Sequence, residues 1–156
     1  NTVLVAGLVA ESEVGRPRPD SDAEDPLRLG GLPMAMESSA RLTALATLIV
    51  EPTQAPAIVS AGVVHGELAT LRPFRHASGP VARATIRLAL ASKGLDPSMM
   101  SVPESGLLAA GRSKYVRALR AYASGTPDGL VSWLEWFSDA IAVGARQAQT
   151  MAAELG

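Results

Sequence analysis

The stretch TLRPFRHASGPVARATIRLAL, residues 70–90, decides how this chain is read. Pro73, Gly79 and Pro80 mark a loop, and helical spacing follows it, carrying Arg83 and Arg87. The nearest acids are Glu67 before the stretch and Asp96 after it; Arg72, Arg75, Arg83, Arg87 and Lys93 stand between. The formal net charge of the chain is only -1, so this one-signed window is local. A glycine-containing turn that feeds a helix start exposes unpaired N–H groups, and the helix dipole adds about half a positive charge there. Phosphates bind such ends. Arg83 and Arg87 are four residues apart on one helix face, and guanidinium groups hold phosphate oxygens in bidentate fashion. Ser78, Gly79, Arg83 and Arg87 are therefore the candidate phosphate-binding residues, against the alternative of a solvated basic face.

The composition narrows the classes. A chain of 156 residues, 47% hydrophobic, can bury one sizeable core. Near-neutral charge and a pI of about 6.1 argue against general nucleic-acid binding, which needs broad positive surface. With no cysteine, thiol catalysis, disulfides and thiolate metal sites are excluded. The longest apolar run, around VLVAGLVA, is too short to span a bilayer and lacks a basic leader, so no membrane association and a cytoplasmic placement are expected. Because Asn1 opens in the middle of an apolar run, further residues are expected upstream.

Along the chain, residues 1–14 read as the end of a truncated helix, stopped by GRPRP. Residues 15–33 are rich in Pro, Gly and Asp and read as a flexible linker. A helical domain is expected over 34–156. Helical spacing runs from Met36 to Ile49 and ends before Pro52. AIVSAGVVHGELATL has the β-branched content of a strand but the length of a buried helix, and a helix is predicted. Pro80 suits the first turn of the next helix, and Gly94 caps it. Pro103 opens another, with a break near Gly111, and a long closing helix places Trp133, Phe137 and Ile141 on one face. The fold class is all-α. Trp133, Trp136 and Phe137 are assigned to the core rather than to a stacking site. His65 is read as a hydrogen-bonded core histidine.

LRPFRHASGPVAR resembles the signature of the Fic/Doc (Fido) family, HPFxxGNGRxxR, at Pro73, Phe74, Gly79 and Arg83. The helices on either side are similar to family core helices, and the resemblance covers roughly residues 36–100. It implies a Fido-like helical core in which the motif loop joins two adjacent helices. In that family the motif His is the base that activates a hydroxyl to attack the α-phosphate of ATP, transferring AMP. That position is Arg72 here. The family's Mg²⁺-holding acid falls on His76, its first glycine on Ala77, its Asn on Ser78 and its first Arg on Pro80. A guanidinium has no acceptor, so Arg72 cannot take a proton. A neutral imidazole at His76 does not suit Mg²⁺, so no metal is expected at the usual motif position. His76 is the one candidate for a relocated base. TLIVEP, Thr47 to Pro52, has part of the family's inhibitory spacing but reads as core helix.

Three readings stay open. The first is a degenerate Fido protein without standard AMP transfer, acting as a phosphate- or nucleotide-binding or regulatory module, with ATP or another nucleotide as candidate ligand. The second is an active Fido-type transferase, an adenylyltransferase-like enzyme with altered chemistry or another phosphate-containing donor. The third is a ligand-free helical module that binds a protein partner.

Overall fold

The computed structural model describes residues 1–20 and 22–155. It is all-α, with no strand among the described residues. Seven α-helices follow one another: α1 (Thr2–Val5), α2 (Ala35–Val50), α3 (Ala57–Leu71), α4 (Ser78–Ser92), α5 (Pro103–Ala110), α6 (Arg112–Ala123) and α7 (Pro127–Leu155). The segment that competed between strand and helix is α3.

α3 is the axis of the molecule. Nearly every residue from Ser60 to Leu71 is buried, because α4, α7, α2 and α6 pack around it. A helix enclosed on all sides has no polar face, so its sequence shows no amphipathic stripe. Small residues let α7 come close: a Cβ on Gly66 would stand 3.0 Å from both Trp133 Nε1 and Tyr122 Cδ2. Trp133 also donates from Nε1 to the Gly62 carbonyl at 2.9 Å, which satisfies the indole in a fully buried position. Trp133, Phe137, Ile86 and Leu119 are each wholly removed from solvent. Burial of a side chain of this kind contributes about 1.5–3 kcal/mol.

Prolines and glycines set the element ends. α4 starts at Ser78, two residues ahead of Pro80, which still lies in the first turn where its missing N–H costs nothing. Gly94 takes φ +77° just past the end of α4, and Gly111 at φ +85° separates α5 from α6. The helical spacing of residues 2–13 yields only α1 and a 3-10 turn at Glu11–Glu13. Gly7 at φ +76° turns the chain out of the helix after α1.

The segment between Gly15 and Pro33 has no helix or strand in its described residues, yet it is anchored to the core. Arg18 is 5% exposed and works as its main anchor. Its guanidinium donates to the Arg72 carbonyl (3.1 Å), the Pro33 carbonyl (3.0 Å), Ser38 Oγ (3.0 Å), the Leu71 carbonyl (3.4 Å) and the Asp20 carbonyl. Two of those acceptors are carbonyls at the C-terminal end of α3, which lack intrahelical partners and favour a cation. The Arg18 N–H donates in turn to the Pro73 carbonyl at 2.8 Å.

α5 presses on α7 most closely at Gly106, where a Cβ would overlap the Ala140 carbonyl oxygen. That oxygen is backbone and cannot swing aside. Gly106→Ala is expected to destabilise the protein by roughly 1–3 kcal/mol through overpacking, in spite of alanine's better helix propensity. Chemical denaturation of the two proteins measures it; equal or greater stability of the variant would show that α5 and α7 stand further apart.

Candidate anion-binding site

The loop 72–77 joins the end of α3 to the start of α4, and two residues in it hold the left-handed backbone that makes the turn. Arg72 has φ +45° and ψ +61°, and Ala77 has φ +60° and ψ +21°. Ser78 closes the loop on itself: its Oγ accepts from the Phe74 N–H at 3.0 Å and donates to the Phe74 carbonyl at 2.8 Å. Its side chain is thereby taken up in shaping the loop.

The basic residues of the window have separate fates. Arg72 is 5% exposed and buried under the 25–31 segment. It pairs with Asp25 at 2.9 Å and donates to the carbonyls of Gly30 (2.6 Å) and Gly31 (3.0 Å). Arg75 meets Glu13 and Asp20, each at 2.9 Å, and also Asp22. His76 donates from Nδ1 to Glu24 Oε1 at 2.9 Å. Arg87, a candidate phosphate ligand, is instead clamped in bidentate fashion to Glu104 at 3.0 and 2.8 Å and donates to the Ser101 carbonyl. Arg83 alone of these arginines has no ion pair or hydrogen bond with a protein group among the described residues. Its Nη1 lies over the first turn of α4, 3.5 Å from where a Cβ on Gly79 would be. Gly79 and Arg83 are therefore brought together at the helix start, with Ser78 beside them, whereas Arg87 is held elsewhere.

Beneath Arg83 the floor of the site is neutral. His65 is fully buried; its Nδ1–H donates to the Ala82 carbonyl at 2.8 Å, so Nε2 is left to accept from the Tyr115 hydroxyl at 2.9 Å. Burial pushes the His65 pKa down to about 4, with the nearby Arg83 charge acting in the same direction. Tyr115 is pushed up to about 12, again by burial, and stays protonated. Glu104 is held below the ordinary carboxylate range: hydrogen bonds and charge from Arg87, with a lesser effect of Arg83, outweigh the opposing effect of its burial.

Between the 24–29 segment and the first turn of α4 lies a cavity of about 60 Å³ lined by Asp25, Arg72, Ser78, Gly79, Pro80 and Tyr115. A larger apolar groove of about 510 Å³ runs between Leu90, Leu95, Met100 and the second half of α7. Its only charged lining residue is Asp96, so an anion has no reason to enter it. No group of three or more His, Asp or Glu that could hold a metal ion occurs among the described residues, and none of their helices is long and apolar enough to cross a membrane. Glu24, Asp25, Glu104 and Tyr115 were not singled out from the sequence. The acidic run at 20–25, opposite in sign to the loop, was the one signal that could have found two of them. Comparison with protein-family models, curated proteins and solved structures finds no match in any of the three.

Two outcomes follow from this geometry. An L-residue in the left-handed region costs about 1–2 kcal/mol and glycine's extra chain entropy about 0.5–1, so Ala77→Gly should stabilise the protein by roughly 0.5 kcal/mol. A lower denaturation midpoint for the variant would contradict the left-handed assignment. For His65, the unfolded chain takes up a proton near pH 6.5 whereas the folded one does so only near pH 4. The His65 contribution to stability should accordingly fall by about 3 kcal/mol as pH drops across that window, with the carboxylates of lowered pKa adding to the loss at its acid end. His65→Asn should flatten the dependence between pH 6.5 and 4.5; an unchanged slope in denaturant titrations would assign it to other groups.

Proposed function

We propose that this chain is a degenerate Fido-like helical domain whose 78–83 turn binds a phosphate group, free or as part of a nucleotide, without standard AMP transfer. The observation that carries the reading is the unpaired Arg83 guanidinium lying over Gly79 at the start of α4, where the other arginines of the window are neutralised. A helix start with free N–H groups and an uncompensated arginine has the chemistry of an anion site. The left-handed backbone at Ala77, where the resemblance puts a glycine, supports a loop of that shape.

The same residues speak against transfer by the family's usual route. Arg72 stands at the base position and its side chain is consumed by Asp25 and two carbonyls. His76, the candidate replacement, is tied to Glu24 through Nδ1 and offers no carboxylate for Mg²⁺. Loss of a general base alone removes about 10²- to 10⁴-fold in rate, and loss of metal neutralisation adds to it.

Thermal unfolding with ATP or inorganic phosphate, followed by Trp fluorescence, tests the site. The wild type should show a ligand-dependent rise in Tm that Arg83→Ala abolishes, while Arg87→Ala, which removes the Glu104 pair and the hydrogen bond to the Ser101 carbonyl, leaves the rise in place. AMP transfer from labelled ATP with Mg²⁺ should be undetectable, and Arg72→His alone should not restore it. Robust transfer by the wild type that is lost with Arg83→Ala would replace this reading with an active transferase using another base.

A further inference from the structure

A second one-signed run lies on α6. Between Glu104 and Asp128 the chain has no acid, and it carries Arg112, Lys114, Arg117 and Arg120. The fold treats this run unlike the first. Arg72, Arg75, His76 and Arg87 are met by carboxylates from distant segments, whereas none of the α6 cations has an ion pair among the described residues. Ala118 and Leu119 turn inward, and Tyr115 and Tyr122 pack on Trp136 and Trp133, so the cations take the exposed side of the helix. Two of them are ordered by backbone: Arg112 donates to the Pro26 carbonyl, and Arg120 to the Arg28 carbonyl at 2.7 Å. These bonds fix the side chains without neutralising them.

The chemistry and extent of this face select among polyanions. From Arg112 to Arg120 the helix rises about 12 Å, the reach of a short segment. Single-stranded nucleic acids are held by bases stacked on aromatic rings, and both tyrosines of α6 face the core. A membrane-surface helix interleaves exposed apolar side chains with its cations, and no large hydrophobic residue of α6 is exposed. On the neighbouring α7, Asp128, Glu135 and Asp139 are exposed and have no ion pair among the described residues. A duplex or a bilayer extends well past α6 and meets these acids, whereas a short peptide ends before them. Successive α6 cations are two or three residues apart, about 3–4.5 Å of helix rise, which matches an acid at nearly every residue of an extended segment. The α7 acids, spaced seven and four residues apart, do not match that spacing in a second copy.

We propose that the outer face of α6 is a docking surface for a short acidic protein segment, whose carboxylates pair with Arg112, Lys114, Arg117 and Arg120. The surface is independent of the 78–83 turn and uses none of its residues. Guanidinium groups take carboxylates in bidentate fashion, and Arg112 and Arg120 are already ordered by the carbonyls they hold, so less side-chain freedom is lost on binding. Lys114 and Arg117 make no hydrogen bond through their side chains among the described residues and add charge at the middle of the face. All of these pairs are exposed, so salt screens them and binding weakens as ionic strength rises.

The test measures binding of a fluorescent octaglutamate peptide by anisotropy to the wild type and three variants, Lys114→Glu/Arg117→Glu, Arg16→Glu/Arg146→Glu and Arg83→Ala. Lys114 and Arg117 are exposed and hold no other group, so their reversal leaves the packing of α6 intact, and circular dichroism melts establish that each variant is folded. The second variant makes the same change in net charge at exposed arginines outside α6. The wild type should bind the peptide, more weakly as salt rises from about 50 to 200 mM. Affinity should fall at least tenfold with Lys114→Glu/Arg117→Glu and stay within twofold of wild type in the other two. Equal affinity in all four proteins, an equal loss with Arg16→Glu/Arg146→Glu, or no binding by the wild type at the lower salt would overturn the proposal. Tighter binding of single-stranded RNA or of phosphatidylserine vesicles, lost on reversal of Lys114 and Arg117, would overturn the choice of an acidic peptide and give the face to that polyanion. Self-association in sedimentation, lost in the same variant, would give it to a second copy.

Discussion

The close approach of α7 to α3 is the constraint from which the rest of this structure follows. Gly62 and Gly66 leave no side chain between the helices, and Trp133 uses the gap to reach the Gly62 carbonyl. His65, one residue before Gly66, is stacked on Trp133, Phe137 and Tyr115 at ring distances of 5.8–5.9 Å. A polar ring in such surroundings must have both nitrogens satisfied, and its partners are α4, through the Ala82 carbonyl, and α6, through Tyr115. One buried imidazole thereby sets the positions of three helices about α3. The end of α3 then fixes where Arg72 stands, and from it the loop and the first turn of α4.

Electrostatics organises the outer layer. The carboxylates of Glu13, Asp20, Asp22, Glu24 and Asp25 meet Arg72, Arg75 and His76 across an interval of about fifty residues, and Glu104 takes Arg87. Most of these pairs are partly exposed and individually weak, in the range of about 0–1 kcal/mol. Arg72 is the exception, because its burial makes an unpaired charge costly and so ties the position of Asp25 to the stability of the loop. Arg18 plays a parallel part with carbonyls in place of carboxylates. Against this background Arg83 is informative: a fold that neutralises its neighbours gives this guanidinium no ion pair or hydrogen bond among the described residues, beside a helix start.

Much of the helical layout was legible in the chain itself. Pro52, Pro80, Pro103 and Pro127 stand at or near helix ends, and Gly94 and Gly111 adopt the positive φ that ends a helix, because these residues act through their own backbone. Of Trp133, Trp136 and Phe137, assigned to the core from their spacing on α7, Trp133 and Phe137 are fully buried and Trp136 is half-buried against the same cluster. The short α1 was less legible, since apolar spacing over residues 2–13 says nothing of the turn at Gly7.

What the sequence by itself determined was local: the helical class, the breaks, the aromatic core, and a run of cations between Glu67 and Asp96. Only the tertiary structure decided what those cations do. Charge pairs form through space, and the acids that meet these cations come from residues 13–25 for the loop and from Glu104 for α4, beyond any window in which sequence neighbours interact. Thus Arg87, equal to Arg83 by spacing, is spent on Glu104, whereas Arg83 has no ion pair or hydrogen bond among the described residues. The difference is set by how α5 and the 22–31 segment pack around α4, which no local pattern encodes.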